Sequence, residues 1–124
     1  MVKGIGMDII EVDRIRTVIE KWSDRFFNRI YTDLEIEYCK RKRDYVRSFA
    51  ARFAAKEATM KALGTGRSYG VRWKDIEVYN APSGKPMLNF YGRAKEVLEE
   101  LGAGSAMITL SHSRDYALSQ VLIL

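Results

Sequence analysis

The chain has 124 residues, a formal net charge of +5, 30% charged and 47% hydrophobic residues, and Cys39 as its one cysteine. That size allows one domain with a small core, for which assembly would bury more surface. A single cysteine excludes an internal disulfide and a cysteine-based zinc site, and no apolar run approaches the ~20 residues that span a bilayer. With no signal-peptide pattern, the expected location is the cytoplasm, away from the membrane. The positive balance favours an acidic partner, whether nucleic acid, an anionic cofactor or an acidic protein.

Lys3 to Ile10 reads as a strand with Gly4 and Gly6 in it, and Asp8 closes its apolar, glycine-spaced part. Ile15, Val18, Ile19 and Trp22 give helical spacing over Glu11 to Lys21, with Arg14 and Lys21 on the other face and Arg25 just beyond. A short helical turn is expected over Asp24 to Ile30. Thr32-Asp33-Leu34-Glu35 has the capping-box pattern and opens a helix through about Lys40. After the basic connector Lys40 to Arg43, Asp44 caps a long helix to Leu63, and Gly64 stops it. Gly64 to Gly70 is a glycine-rich loop. Asp75 to Tyr79 and Met87 to Tyr91 read as paired strands around Ala81-Pro82-Ser83-Gly84-Lys85-Pro86. Arg93 to Leu101 is amphipathic and ends at Gly102; Ser105 to Ser111 and Tyr116 to Leu124 form a last hairpin. The expected fold is one compact α+β domain, residues 1–124, with an antiparallel sheet and a long central helix.

Two carboxylates stand where the local pattern is apolar. Asp8 follows the glycine-spaced strand, and Glu57 continues the Phe49/Phe53 stripe of the long helix with Lys61 one turn on. A carboxylate in such a setting must be paired, protonated or bound to a cation. Asp8 capping the next helix or pairing with a neighbouring base, and Glu57–Lys61 as an i,i+4 pair worth a few tenths of a kcal/mol, are the plain alternatives. Taken together, the two carboxylates suit Mg²⁺, whose shell is completed by waters and substrate phosphates. The loop Gly64 to Gly70 follows a helix and lacks the P-loop lysine, so it reads equally as a phosphate cradle and as a helix stop. His112, between Ser111 and Ser113, offers no Ser/His/Asp triad and reads as a hydrogen-bonding residue.

Gly4-Ile5-Gly6-Met7-Asp8-Ile9 with Arg14, and Arg52-Phe53-Ala54-Ala55-Lys56-Glu57-Ala58 with Lys61-Ala62-Leu63-Gly64-Thr65-Gly66, resemble the two signature blocks of the holo-acyl-carrier-protein synthase family. Asp75 to Val78 leading to Gly84-Lys85-Pro86, and Ser111-His112-Ser113 before Tyr116-Ala117, resemble its later blocks in the same order. The resemblance implies a 4′-phosphopantetheinyl transferase of fatty acid biosynthesis. Such an enzyme moves phosphopantetheine from coenzyme A to a serine of apo acyl carrier protein and releases adenosine 3′,5′-bisphosphate. It implies a homotrimer with sites at the subunit interfaces. Asp8 and Glu57 would hold Mg²⁺ on the diphosphate, with a water near Asp8, or Glu57 itself, taking the serine proton. Lys61 would stabilise or protonate the leaving bisphosphate. Arg52, Gly64, Thr65, Gly66, Lys85, Pro86, Ser111 and His112 would surround the cofactor, and Arg43 would reach its 3′-phosphate. Arg14 would meet acidic carrier residues, with Lys21 and Arg25 as neighbours.

A different class of function, a small basic nucleic-acid-binding module, fits the net charge and Lys40 to Arg43 flanked by Tyr38 and Tyr45. It gives Asp8 and Glu57 no role, and no nucleic-acid partner is expected. A catalytically inactive relative is opposed by the intact Asp8, Glu57 and Lys61.

Overall fold

The computed structural model describes residues 1–66 and 69–124; Arg67 and Ser68 of the glycine-rich loop lie outside the described residues. The chain runs β1 (Gly4–Glu11), α1 (Val12–Trp22), α2 (Asp24–Ile30), α3 (Asp33–Lys40) and α4 (Tyr45–Leu63), then a single 3₁₀ turn (Trp73–Asp75). It continues through β2 (Ile76–Asn80), β3 (Pro86–Phe90), α5 (Gly92–Glu100), β4 (Ala106–His112) and β5 (Tyr116–Ile123).

Among the described residues all strand pairs are antiparallel, but they form two sheets where one was expected: three strands in the order β1-β5-β4, and the separate pair β2-β3. The first and last strands pair along their full length, from Gly4↔Ile123 to Glu11↔Tyr116. Asp8 therefore lies inside β1, opposite Ser119, and not at the strand's end.

Helix α4 starts and stops where the sequence places it. Asp44 accepts from the Arg47 amide at 3.2 Å, and Gly64 takes φ +78° at the other end. In α3 the Thr32 hydroxyl accepts from the Glu35 amide while the Glu35 carboxylate accepts from Thr32, so the capping box is formed. Alternate residues of β1 face α4. A Cβ at Gly4 would meet the Ala62 carbonyl oxygen at 2.0 Å, and one at Gly6 the Ala58 carbonyl oxygen at 2.0 Å. The glycines let helix backbone rest directly on strand backbone.

The core divides along α4. Towards its N-terminus, Phe49 stacks on Phe27 at 4.4 Å between ring centroids and packs against Tyr31, Ile15 and Ile19. Towards its C-terminus, Ala55, Ala58, Met60 and Leu63 pack with Ile76, Val78, Val97, Ile108 and Val121. The outer face of the three-stranded sheet is different. Ile5, Met7 and Ile9 of β1, Met107 of β4 and Leu118 of β5 are exposed there, Ile5 and Ile9 to 61% each.

Candidate active site

Asp8 points to the same side of β1 as Gly4 and Gly6, so it meets α4 just beyond their close contact. Its carboxylate is nearly covered, and Oδ1 lies 3.0 Å from Lys61 Nζ. Lys61 also donates to the Met7 carbonyl at 3.0 Å. Glu57 is half-buried on the neighbouring turn of α4, on the Lys61 side of the helix. Strand and helix thus bring Asp8 and Lys61 together across a contact that two glycines make possible, with Glu57 one turn before Lys61 on the same helix. Gly64, Thr65 and Gly66 close the same end of α4. The amides of Thr65 and Gly66 both donate to the Met60 carbonyl, at 3.1 and 3.3 Å. Thr65 is buried, with its hydroxyl 3.1 Å from the Gly66 carbonyl. Its side chain shapes the loop.

The other expected cofactor residues lie elsewhere. A cleft of about 470 Å³ opens between the first half of α4 and the β2–β3 turn, lined in part by Tyr38, Arg43, Arg52, Asn80, Pro86 and His112. Arg52 is buried and donates to Asn80 Oδ1 at 2.7 Å, and its guanidinium lies 4.1 Å from the centre of the Tyr38 ring. Among the described residues, Arg52 Nε is buried with no hydrogen-bond partner. A buried donor without a partner costs stability. Lys85 and Ser111 are exposed beside the cleft-lining Gly84, Pro86, Leu110 and His112.

Arg52 and Lys61 are nine residues apart, which is about 14 Å along the helix and half a turn around it. On one copy of the chain, the two groups of candidate residues face different sides of α4: Arg52 reaches β2, and Lys61 reaches β1. The cofactor set expected from sequence is therefore split, with Gly64 to Gly66 by Asp8 and the remainder in the cleft.

Arg14, Lys21 and Arg25 are all exposed. Lys21 and Arg25 lie over the Trp22 ring, at 5.2 and 5.3 Å from its centre. The result is one basic, aromatic face across α1 and α2. Cys39 is buried and accepts from the Ser48 hydroxyl at 3.3 Å, in keeping with a packing role.

Several polar residues escape a reading of the sequence alone. Glu35, which the sequence shows only as a capping residue, forms a fully buried ion pair with Lys56 at 2.8 Å. Glu77 accepts from Thr32 (2.6 Å), Asn89 (3.1 Å) and Tyr91 (3.0 Å). Asn80 and Tyr38 frame Arg52. Glu35 and Lys56 lie on different helices, so nothing local in the sequence announces their pairing.

The match to the family model for the 4′-phosphopantetheinyl transferase superfamily extends over residues 4–121. The chain belongs to the 4′-phosphopantetheinyl transferase superfamily. It is 49% identical over 123 residues to the holo-acyl-carrier-protein synthase of Koribacter versatilis, covering 99% of this chain and 98% of that protein. The crystal structure of the holo-acyl-carrier-protein synthase of Neisseria meningitidis superposes with a TM-score of 0.90 at 36% identity, covering 100% of this chain and 99% of that one. The Bacillus anthracis holo-acyl-carrier-protein synthase, solved in complex with CoA (3′,5′-ADP), gives a TM-score of 0.82 at 37% identity, covering 99% of this chain and 96% of that one. The fold and the enzyme class follow: this is an α+β phosphopantetheinyl transferase of the holo-acyl-carrier-protein synthase type.

Among the described residues, no group of three or more His, Cys, Asp or Glu side chains could hold a metal ion, and no helix is long and apolar enough to cross a membrane.

Proposed function

We propose that the chain forms a single domain, 1–124, that transfers 4′-phosphopantetheine from coenzyme A to a serine of apo acyl carrier protein in the cytoplasm, supplying holo carrier for fatty acid synthesis and releasing adenosine 3′,5′-bisphosphate. The single observation that carries the reading is the Lys61–Asp8 ion pair across the glycine contact of β1 and α4, and Glu57 stands one turn before Lys61 on the same helix.

The donor set fits Mg²⁺. Asp8 and Glu57 are hard oxygen ligands on two regular elements, and a pair of carboxylates with the remaining positions left to water and phosphate is the usual protein share for this ion. When bound there, it would neutralise charge on the diphosphate and favour in-line displacement at phosphorus. Around it, the chain's own groups act. Glu57 accepts the proton of the carrier serine as its oxygen attacks the β-phosphorus. Lys61, held by Asp8 and the Met7 carbonyl, donates to the departing phosphate oxygen. Arg52 offers its unpartnered Nε, with Arg43, Lys85, Pro86, Ser111 and His112 around the nucleotide end.

These two parts are separated on one copy of α4, and the exposed Ile5, Met7, Ile9, Met107 and Leu118 form an apolar sheet face. Contiguous exposed apolar surface of this kind marks an association site. A homotrimer that covers this face and joins the cleft of one copy to the carboxylates of the next accounts for both. The basic face of Arg14, Lys21 and Arg25 then receives the acidic carrier, with neither nucleic acid nor membrane as a partner. Gly64, Thr65 and Gly66 lie beside Lys61, where their loop borders the transferred phosphate.

The test is the intact mass of an apo acyl carrier protein after incubation with this protein, coenzyme A and Mg²⁺. A gain of one phosphopantetheine that a chelator prevents is the expected result. No gain with several carriers and a folded enzyme would sink the reading.

A further inference from the structure

Among the described residues, strand β2 pairs with β3 along one edge only. Its other edge presents amides and carbonyls that must find partners. Two of these are taken by side chains. Glu35 Oε2 accepts from the Val78 amide at 2.8 Å. Lys56 Nζ donates to the Ile76 carbonyl and, at 3.0 Å, to that of Trp73. The same two side chains are paired with each other at 2.8 Å, both with zero exposure. An ammonium and a carboxylate stand where an adjoining strand would place its amide and carbonyl.

We propose that the Glu35–Lys56 pair is a positioning device, a substitute strand that sets the spacing between α4 and the β2–β3 hairpin and with it the width of the cleft between them. Its effect on catalysis rests on the proposed role of that cleft as the coenzyme A site.

Lys56 is one turn of α4 beyond Arg52, whose bond to Asn80 is the next tie to the hairpin. Asn80 in turn donates to the Gly84 carbonyl at 2.9 Å, and Gly84 and Pro86 form the far wall of the cleft. A shift of β2 against α4 therefore moves that wall. Apolar contacts at Ile76 and Val78 are non-directional and tolerate sliding. Hydrogen bonds to two charged side chains do not. A buried ion pair is weak evidence for net stability, because apolar residues of equal volume often serve as well. Geometry is what this pair supplies that they cannot. Burial holds the Lys56 pKa below its ordinary value, and the adjacent Glu35 offsets part of that effect.

Glu35→Leu removes the acceptor of Val78. The expected result is a KM for coenzyme A raised about tenfold, with kcat and the carrier KM within about twofold of wild type. Amide exchange over residues 76–80 should quicken in the same variant. Glu35→Gln keeps an oxygen for Val78 and should recover most of the coenzyme A KM. Exchange is read on the protein alone. Wild-type protein that transfers nothing would overturn the coenzyme A reading, whereas unchanged exchange over 76–80 in Glu35→Leu would overturn the positioning role. That role also fails if Glu35→Leu has a lower Tm but an unaltered coenzyme A KM. If Glu35→Leu does not fold, Lys56→Gln, which can still donate to Ile76 but carries no charge, is read by the same exchange and KM criteria.

Discussion

Lys61 Nζ sits 3.0 Å from Asp8 Oδ1 and 3.0 Å from the Met7 carbonyl, so the lysine of the long helix is held by the first strand. Chain positions more than fifty apart thereby form one site. In the proposed enzyme, the same carboxylate faces a lysine and a divalent cation.

Asp8→Ala and Glu57→Ala are each expected to lower transfer to below about 1% of wild type, because each removes one of two protein ligands. Neither fills the core, so Tm should move by only a few degrees. Carrier modification by mass spectrometry, with and without added Mg²⁺, is the measurement. Near-normal metal-dependent transfer by either variant would falsify the two-carboxylate site.

Gly6→Ala tests the contact that aligns this site. The added Cβ would lie 2.0 Å from the Ala58 carbonyl oxygen, and backbone on both sides leaves it nowhere to turn. Strand and helix must separate, at a cost of about 3 kcal/mol in overpacking. Urea unfolding should show the loss in the midpoint. Transfer measured well below Tm should also fall, since Asp8 moves with the strand. An Ala variant as stable as wild type would mean that the helix does not rest on the glycines.

The sequence carries much of this architecture because much of it is local. Thr32 to Glu35 announces its own cap, and Asp44 and Gly64 bracket α4. The division into two sheets was not legible, since the pairing of β1 with β5 joins the two ends of the chain and leaves β2–β3 alone. The Glu35–Lys56 pair was hidden for a related reason. Glu35 already had a sufficient local explanation as a cap, and its second role depends on how α3 packs over β2. The family resemblance supplies the candidate cofactor residues but not their separation onto two sides of α4, which follows from helical phase and tertiary packing. Arg52, with its buried unpartnered Nε, and Lys61 could be placed only once β1 and β2 were known to lie on different sides of that helix.

Assembly is tested at the exposed sheet face. Met7→Glu puts a charge into the centre of the Ile5, Met7 and Ile9 row. Desolvating an unpaired carboxylate is costly, so the variant is expected to sediment as a monomer where wild type sediments as a trimer. Residue 7 points away from α4, so the fold should survive. If the cleft of one copy completes the carboxylate site of another, transfer should disappear with the trimer. A monomeric variant with full activity would refute the shared site, and a wild type that sediments as a monomer would refute the trimer.

Glu77 gives the acid limb of stability a definite sign. Burial tends to raise its pKa, but hydrogen bonds from Thr32, Asn89 and Tyr91 outweigh that effect and hold the carboxyl below its ordinary range. The unfolded chain therefore binds more protons at this group than the folded one, and stability increases with pH across the interval between the two pKa values. The contribution is complete above the unfolded value, near about pH 4.3, and is lost as pH falls through the lower folded value. Tyr91 shows the other side of the same bond, since donation to Glu77 raises its phenol pKa. In Glu77→Gln the charge is gone while the side chain keeps its shape. Urea midpoints from about pH 7 to pH 3 should fall less steeply for this variant than for wild type, and its deficit should be largest at neutral pH. Parallel curves through the acid range would show that the bonds to Thr32, Asn89 and Tyr91 do not favour the ionised carboxylate, and the link between the hairpin and α3 would then have to be sought in the Glu35–Lys56 pair alone.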